Sequence, residues 1–531
     1  MSHSIDRPPD DFIVDVLNWL QFEIYPGLLQ EPWTARAEAV WVAGVRGFVG
    51  LWEEGYGNTL PPRERLEACR HELYRRIYAV KFPTPPPTPP VVVPPISGPV
   101  GHRRIVGQLR RRGQAFVDDQ GVILPMFCHF MEAFSAFVRR PDAVRAELDD
   151  ILATGYHGIR FLDVLGYYDQ SRPGDRNAWK AWAGKEVTPV PFDAFSGRRI
   201  EATPRYYDQL AAFLRECQAR GLAVHHDRGD LVGWQPSQIE QHCALVGDVQ
   251  RAVGAATIAI NASANEAWQN LPGVWRDNVP KYLRVMAERL GTHALRGSSA
   301  ADDGYGGELP ESVESHTKAI GMDVHIVHGY RGGASHNRIA HIHALGYETL
   351  PHYGVPGWQG EPAGPGAGVS VGREEHPEAL CLMAAQSLAT RQGWVYMSGH
   401  GVFWDGPLAA MTGYREVARV PSLLPADIMT WPRLIHGGES FRNRGRVFCA
   451  HPGGGAPGPF YRADHVLHAD GRQFVALVYG ESGEYRIPVE RSFDAEIITP
   501  HTGERHPFKG DAAQHVSIAC ERGRLIVGQV R

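Results

Sequence analysis

The chain has 531 residues, a formal net charge of −5, and 43% hydrophobic and 21% charged residues. This length exceeds one ordinary hydrophobic core, so we expect two or three domains of a globular protein. The balanced charge gives no reason to expect nucleic acid as a partner, and no apolar run approaches the roughly 20 residues that span a bilayer. Seven cysteines without a CxxC pair favour neither a disulfide framework nor a cysteine zinc site.

Residues 1–82 are predicted to form a small helical module, because apolar residues recur at helical spacing over 12–20 and 63–80. Residues 83–100 follow as a linker rich in proline, which favours a stiff, extended conformation. A module on a stiff arm is typical of an attachment device, so we expect residues 1–82 to mediate assembly with another protein. No signal peptide is visible at the N-terminus, which predicts synthesis in the cytoplasm, with any later export as part of a virion or other assembly.

Residues 101–430 are predicted to form a (β/α)8 TIM barrel, an α/β fold, because strand-like runs alternate with amphipathic helices. A hairpin turning at 118–121 precedes the first strand. A doubly wound open sheet would alternate similarly, but its GxGxxG fingerprint is missing. The predicted strands are 124–130, 158–164, 223–227, 256–261, 293–297, 323–328, 355–359 and 394–398, with helices at 141–153, 206–219, 278–289 and 375–391.

Over residues 431–531 the sequence pattern changes to short strand-like runs separated by turn signals such as Asp470-Gly471. This pattern predicts a C-terminal all-β sandwich domain packed on the barrel.

Two glutamates lie where catalytic groups of a barrel are expected, at the carboxyl ends of strands. Glu266 follows the predicted fourth strand, and Glu361 follows the predicted seventh strand 95 residues later. Cleavage of a glycosidic bond needs two carboxyl groups, one to protonate the leaving oxygen and one to attack or to activate water. The pair therefore indicates a glycosidase-like site.

The Asn265-Glu266 pair after the fourth strand, together with Glu361 after the seventh, resembles clan A of the glycoside hydrolases. The resemblance covers residues 101–531 and implies a retaining (β/α)8 enzyme that acts on a poly- or oligosaccharide. It implies that Glu266 is the acid/base, that Glu361 is the nucleophile, and that Asn265 binds the 2-hydroxyl group of the sugar. It also implies that neither a cofactor nor a metal ion is needed.

Weaker matches to the same clan suggest further positions that bind substrate or support the nucleophile. Arg160 lies on the second strand, where clan members often carry an arginine that keeps the nucleophile ionised. The remaining positions follow or lie on the third, sixth, seventh and eighth strands: His225, His226, His328, Tyr330, Trp358 and Trp404.

Several alternatives remain open at this stage. Asn265 and Glu266 are also favoured residues at the start of a helix, and each histidine and tryptophan has a structural explanation. The HIH segment at 341–343 is reminiscent of metal-dependent barrel hydrolases, but it falls in a predicted helix after the sixth strand. The GVSVG segment at 368–372 matches a serine-hydrolase motif but lacks a preceding strand.

A rival hypothesis is a glycan-binding or structural protein, such as a phage tail fibre, built on a glycosidase-like barrel. The helical module and its proline arm motivate this hypothesis, because such an arrangement suits tethering to a larger assembly. A glycosidase-like barrel does not exclude it, since a fold alone does not fix a function. The sequence does not indicate which sugar or linkage is recognised.

Overall fold

The computed structural model describes most of the chain beyond residue 102. The described residues are 103–165, 184–193, 197–229, 231, 233–267, 279–301, 321–328, 355–366, 375–432, 447–448, 461–480 and 482–531. The predicted helical module, the proline-rich linker, Tyr330 and the segments 341–343 and 368–372 lie outside these residues.

One parallel sheet forms the centre of the fold, and each of its strands except Ser299–Ala301 overlaps one of the eight predicted from the sequence. Its strands are buried along their length, as expected for a sheet covered on both faces. They are β4 (Met126–His129), β5 (Gly158–Leu162), β8 (Ala223–Asp227), β9 (Ile258–Ala262), β10 (Leu295–Gly297), β11 (Ser299–Ala301), β12 (His325–His328), β13 (Gly357–Gln359) and β14 (Gln392–Tyr396).

The order of these strands is that of a (β/α)8 barrel. It runs β10-β9-β8-β5-β4-β14-β13-β12-β11, and every pairing is parallel. Only Ser298 separates β10 from β11, so the two edges of the sheet are consecutive parts of one barrel strand. This fifth barrel strand therefore pairs with both the fourth and the sixth.

Helices alternate with the barrel strands along the described residues. The helices α2 (Pro141–Thr154) and α3 (Tyr206–Arg220) each end at a glycine in the left-handed conformation, Gly155 and Gly221. This conformation returns the chain toward the next strand. The helices are α1 (Ala133–Arg139), α2 (Pro141–Thr154), α3 (Tyr206–Arg220), α4 (Pro236–Val253), α5 (Val279–Leu290), α6 (Pro377–Ala389), α7 (Gly399–Phe403) and α8 (Tyr414–Ala418).

The predicted hairpin precedes the first barrel strand, and its second turn lies at 119–120 as expected. It consists of β1 (Arg110–Arg112), β2 (Ala115–Asp118) and β3 (Gly121–Val122), all antiparallel. Phe116 from β2 is fully buried and packs edge-on against Trp358, with 5.6 Å between the ring centroids. The hairpin thus contributes to the barrel's hydrophobic core. A further two-stranded ribbon, β6 (Phe192–Asp193) with β7 (Arg199–Ile200), lies after the second barrel strand.

Antiparallel sheets form the C-terminal part, as predicted. A five-stranded sheet has the order β15-β16-β21-β18-β19, and β17 pairs with β20 in a second sheet. Alternate side chains of β16 serve two cores: Phe474, Ala476 and Val478 pack with residues of β17 and β20, whereas the intervening residues join the barrel core. The ranges are β15 (Tyr461–Leu467), β16 (Gln473–Gly480), β17 (Gly483–Pro488), β18 (Phe493–Ile498), β19 (Arg505–Gly510), β20 (His515–Cys520) and β21 (Gly523–Val530).

Among the described helices, none combines the length and the apolar character that a membrane span requires.

Candidate active site

Polar and charged side chains from six barrel strands meet where these strands end. Parallel strands present their carboxyl ends at the same mouth of a barrel, so residues far apart in sequence become neighbours there. The cluster consists of His129, Arg160, Asp227, Asn265, Glu266, His328 and Glu361, and in it Glu266 and Glu361 come from the fourth and seventh barrel strands.

Arg160 is the fully buried centre of this cluster. Its Nη1 donates to Oε1 of Glu361 at 2.7 Å, its Nη2 donates to Oδ1 of Asn265 at 2.5 Å, and its Nε donates to Oδ2 of Asp227 at 2.7 Å. Burial disfavours the guanidinium charge, but the carboxylates of Asp227 and Glu361 outweigh this effect and raise the pKa of Arg160. Arg160 is therefore a permanent cation that contacts Glu361 directly.

Glu266 and Glu361 are close to each other and retain access to the barrel mouth. Their side chains are 15% and 8% exposed. A nitrogen of His328 and one carboxylate oxygen from each glutamate all lie within 4.8 Å of one another. Two carboxyl groups with different neighbours, one held by an arginine and one by a histidine, thus face a common space.

His328 lies between the two glutamates. Its Nδ1 is 2.9 Å from Oε1 of Glu266 and 3.7 Å from Oε2 of Glu361, and its Nε2 is 3.4 Å from Nη2 of Arg160. A guanidinium can only donate, so we assign Nε2 of His328 as the acceptor and Nδ1 as the protonated nitrogen. In this tautomer the Nδ1–H group of His328 donates a hydrogen bond to Oε1 of Glu266.

The backbone at Glu266 has an unusual conformation. Its φ of 45° lies in the left-handed region, which costs a non-glycine residue about 1 kcal/mol or more. The Glu266 amide donates to Oγ of Ser299, and the Asn265 amide donates to the carbonyl of Arg228. Ala267 is the last described residue before 279, so the helix start expected by the capping alternative stays a prediction, while the Asn265 side chain accepts from Arg160. The Glu266 carboxylate nevertheless contacts His328.

The two adjacent histidines of β8 have different surroundings. His225 is buried beside the cluster, with Nε2 at 3.4 Å from Oδ2 of Asp227, and burial followed by the Arg160 charge lowers its pKa well below 6.5. His226 instead stacks on Phe161 and contacts Asp163 and Gln250, away from the cluster. Successive side chains of a strand point to opposite faces, so His226 lies on the face away from the cluster, and its contact with substrate stays a prediction.

The two tryptophans predicted at the site are core residues. Trp358 has no exposed surface and packs edge-on against Phe116 and Phe127. Trp404 is 9% exposed, and the Arg140 guanidinium covers its ring at 4.5 Å from the centroid. Large aromatic rings fill interiors more often than they form open platforms, and both rings have such interior positions, so substrate binding by them stays a prediction.

Three residues without a predicted role also support the site: His129 and Asp227 within the cluster, and Ser299 beside it. Nε2 of His129 is 2.8 Å from Nη1 of Arg160, Asp227 contacts the opposite part of the guanidinium, and Ser299 holds the Glu266 amide. Their signal in the sequence is position on a barrel strand, because His129 and Asp227 each end one and Ser299 lies on the fifth.

Potential metal-ligand atoms lie close together at two places among the described residues. Glu266, His328 and Glu361 form one, and His376, Glu378 and Glu521 form the other. In the first group, Oε1 of Glu361 and Nε2 of His328 contact the Arg160 cation. In the second, Glu378 is paired with Arg524. A guanidinium beside the donors disfavours a second cation by charge repulsion at both places.

Comparisons with known proteins identify the fold. No protein-family model and no curated protein sequence matches this chain. A solved structure described as "Glycoside hydrolase" matches with a TM-score of 0.51 and 10% identity, over 80% of this chain and 97% of the other. A putative glycoside hydrolase from Bacteroides vulgatus ATCC 8482 gives a TM-score of 0.52 and 12% identity, over 81% and 83% of the two chains. The chain is thus similar in fold to (β/α)8 glycoside hydrolases, as its sequence resemblance predicted.

Proposed function

We propose that this protein is a glycoside hydrolase that cleaves a poly- or oligosaccharide with retention of anomeric configuration. The observation that carries the proposal is the pair Glu266 and Glu361, from the fourth and seventh barrel strands, with oxygens within 4.8 Å of each other. Together with a barrel fold similar to that of glycoside hydrolases, this pair favours an enzyme over the glycan-binding alternative.

In the first step, a carboxylate oxygen of Glu361 attacks the anomeric carbon while the bond to the leaving oxygen breaks. Protonated Glu266 transfers its proton to that oxygen, which leaves as an alcohol. The products are a glycosyl ester on Glu361 and an ionised Glu266.

In the second step, Glu266 removes a proton from water, and the water oxygen attacks the anomeric carbon. The ester bond breaks, Glu361 recovers its negative charge and Glu266 recovers its proton. Two inversions at one carbon give net retention. His328, which donates to Glu266, stabilises the ionised form that acts as base in this step.

Arg160 and Asn265 support this chemistry through the contacts already described. The Arg160 cation, 2.7 Å from Glu361, favours the ionised nucleophile and the return of charge when the ester breaks. The amide oxygen of Asn265 accepts from Arg160, which fixes the orientation of the amide group assigned to bind a sugar hydroxyl group.

The separation of the carboxyl groups supports retention over inversion. Retaining enzymes place the two groups about 5–5.5 Å apart, whereas inverting enzymes need about 6.5–9.5 Å to admit a water molecule. One oxygen of each glutamate lies within 4.8 Å of the other, an approach that favours the shorter separation.

Neutral variants of the two glutamates test the proposal. Wild-type protein is first assayed with polysaccharides and with aryl glycosides of different sugars. We expect Glu361→Gln and Glu266→Gln each to lower kcat/KM on a natural polysaccharide at least 10³-fold. With an aryl glycoside, whose leaving group needs little protonation, Glu266→Ala should regain turnover when azide replaces water as the nucleophile.

Asp405→Asn is the matched control, because Asp405 follows the eighth barrel strand but its side chain is 65% exposed and lies outside the cluster. It should retain wild-type activity. Full activity of either glutamate variant, with the fold intact by circular dichroism, would remove that residue from its assigned role.

A further inference from the structure

Asp227 is a buried carboxylate that contacts the centre of the candidate site without contacting either glutamate in any described interaction. It ends the third barrel strand, its side chain is fully buried, and its Oδ2 is 2.7 Å from both Nε and Nη2 of Arg160. Its other oxygen, Oδ1, has no hydrogen-bond partner among the described residues. The two-step reaction above gives this carboxylate no role.

Every nitrogen of the Arg160 guanidinium contacts a side chain of the site, and its positive charge is shared between two carboxylates. A guanidinium carries five N–H groups. Nε donates to Asp227, Nη1 contacts Glu361 and His129, and Nη2 contacts Asn265, Asp227 and His328. One cation therefore serves two carboxylates, each at 2.7 Å.

We propose that Asp227 is a positioning residue that divides the charge of Arg160 and thereby limits how strongly the site holds Glu361 in its ionised form. The inference rests on the proposed function of Glu361 as nucleophile. It adds a control on the basicity of that nucleophile, since a carboxylate held too tightly by a cation is a weaker attacking group.

The direction of the effect follows from the charges that face each group. Glu361 faces the Arg160 cation at 2.7 Å, His328 at 3.7 Å, His129 at 4.0 Å and the Glu266 carboxyl group. Asp227 faces Arg160 and, at 3.4 Å, His225. Both direct repulsion from Asp227 and its partial neutralisation of Arg160 make ionisation of Glu361 harder. Removing the Asp227 charge therefore makes ionisation of Glu361 easier by both routes.

Asp227→Asn tests the proposal, because asparagine keeps the size of the side chain and an oxygen for Arg160. The acid limb of the kcat/KM profile reports the ionisation of the free enzyme's essential base. We expect its midpoint to move to lower pH by about one unit, the size expected for a unit charge a few ångströms away, while kcat at the optimum falls about 5- to 50-fold. Asp227→Glu, which keeps the charge, should keep the midpoint within about 0.3 units of wild type.

Asp163→Asn controls for the loss of a buried aspartate elsewhere. Asp163 is also fully buried at the end of a barrel strand, but it pairs with Arg228, His226 and His242 and not with Arg160. Its loss should lower Tm without moving the acid limb. Asp227→Ser, a second neutral variant, provides the same readout if the asparagine variant does not fold.

An unchanged acid limb in a folded neutral variant, or a shift to higher pH, would overturn the proposal. A shift of equal size in Asp163→Asn would do the same, because it would show a response to general loosening. If wild-type protein hydrolyses no glycoside, the proposed function itself fails. An active wild type with an unmoved limb refutes only the role of Asp227.

Discussion

The tautomer and the pKa of His226 are set by its hydrogen-bond partners and its burial. Nδ1 of His226 is 2.8 Å from Nε2 of Gln250, which donates, so Nε2 of His226 carries the proton and donates to Asp163 at 3.1 Å. Burial, followed by the charge of Arg228, lowers the pKa of His226 from 6.5 to about 3. Between about pH 3 and pH 6.5, His226 is therefore neutral in the folded protein but protonated in the unfolded chain.

We predict that His226→Gln reduces the loss of stability in acid. Between about pH 6.5 and pH 3 the unfolded chain binds more protons at this site than the folded protein, so stability falls as the pH decreases. From pH 7 to pH 4.5 this site accounts for about 2 kcal/mol of lost unfolding free energy. Urea unfolding of the variant at both pH values should show a correspondingly smaller difference.

His515→Gln is the control for that measurement, because His515 is an exposed residue of β20 in the C-terminal sheets. It should leave the acid slope unchanged. If His226→Gln shows the same slope as wild type, the neutral, buried state of His226 is incorrect.

The residues of the candidate site were predictable to the extent that their strand positions were. Glu266, Glu361, Asn265, Arg160 and His328 were selected as groups on or at the ends of barrel strands, and the structure brings all five together. The direction of a side chain was less accessible, because a slip of one residue exchanges the two faces of a strand. His225 and His226 could therefore not be distinguished, and the contact between Asp227 and Arg160 was not foreseen.

At the scale of elements, the seventh and eighth barrel strands have complementary shapes at Trp358 and Gly393, where a large ring packs against a glycine. These residues are paired in register, and a Cβ added at Gly393 would lie 2.2 Å from Cε3 of the Trp358 ring. The indole therefore needs a glycine opposite it in order to fill the barrel interior. This close approach explains a glycine in the middle of a buried strand.

We predict that Gly393→Ala destabilises the protein by about 1–3 kcal/mol, because it overpacks a full core. Trp358→Phe, which shortens the ring, should cost less in the Gly393→Ala background than in wild type. A double-mutant cycle by chemical denaturation measures this coupling. Strictly additive costs would contradict the direct contact.

The barrel strands were predictable because strands buried on both faces appear as continuous apolar runs between turn signals. The division of the fifth strand at Ser298 and the three-residue length of β13 were not, since both depend on how the sheet curves and closes. Hydrophobic periodicity carries no information on closure. Periodicity likewise does not indicate that alternate side chains of β16 pack into two different hydrophobic cores.

At the scale of the molecule, α6 connects the barrel to the C-terminal sheets. Residues 378–389 are all buried, and the Glu378 side chain, which has no exposed surface, accepts from the amides of Arg522 and Gly523 and pairs with Arg524. Gln386 on the same helix donates to Asp464 of β15 at 3.0 Å. The C-terminal sheets thus cover a helix that would otherwise expose apolar surface.

We predict that Glu378→Gln weakens the barrel and the C-terminal sheets together, by about 2 kcal/mol, because it leaves Arg524 without its carboxylate. Tryptophan fluorescence reports the barrel and the chain before it but not the C-terminal sheets, since no tryptophan lies beyond residue 431. Labelling of the buried Cys520 thiol, located by mass spectrometry, reports the sheets. Destabilisation of only one readout would show that the two parts unfold independently.

Domain boundaries at residues 100 and 430, assembly through residues 1–82 and the cellular location stay predictions. They depend on the N-terminal hundred residues or on partners, whereas the described contacts concern the barrel and the sheets after it.

The stereochemistry of hydrolysis tests the central claim most directly. Proton NMR of the first product released from a polysaccharide that the wild-type protein degrades shows whether the new reducing end has the configuration of the bond that was cut. Attack by Glu361 followed by water predicts retention at the earliest time points, before mutarotation. An inverted first product would contradict the account, because water would then have attacked directly and Glu361 would never have formed an ester.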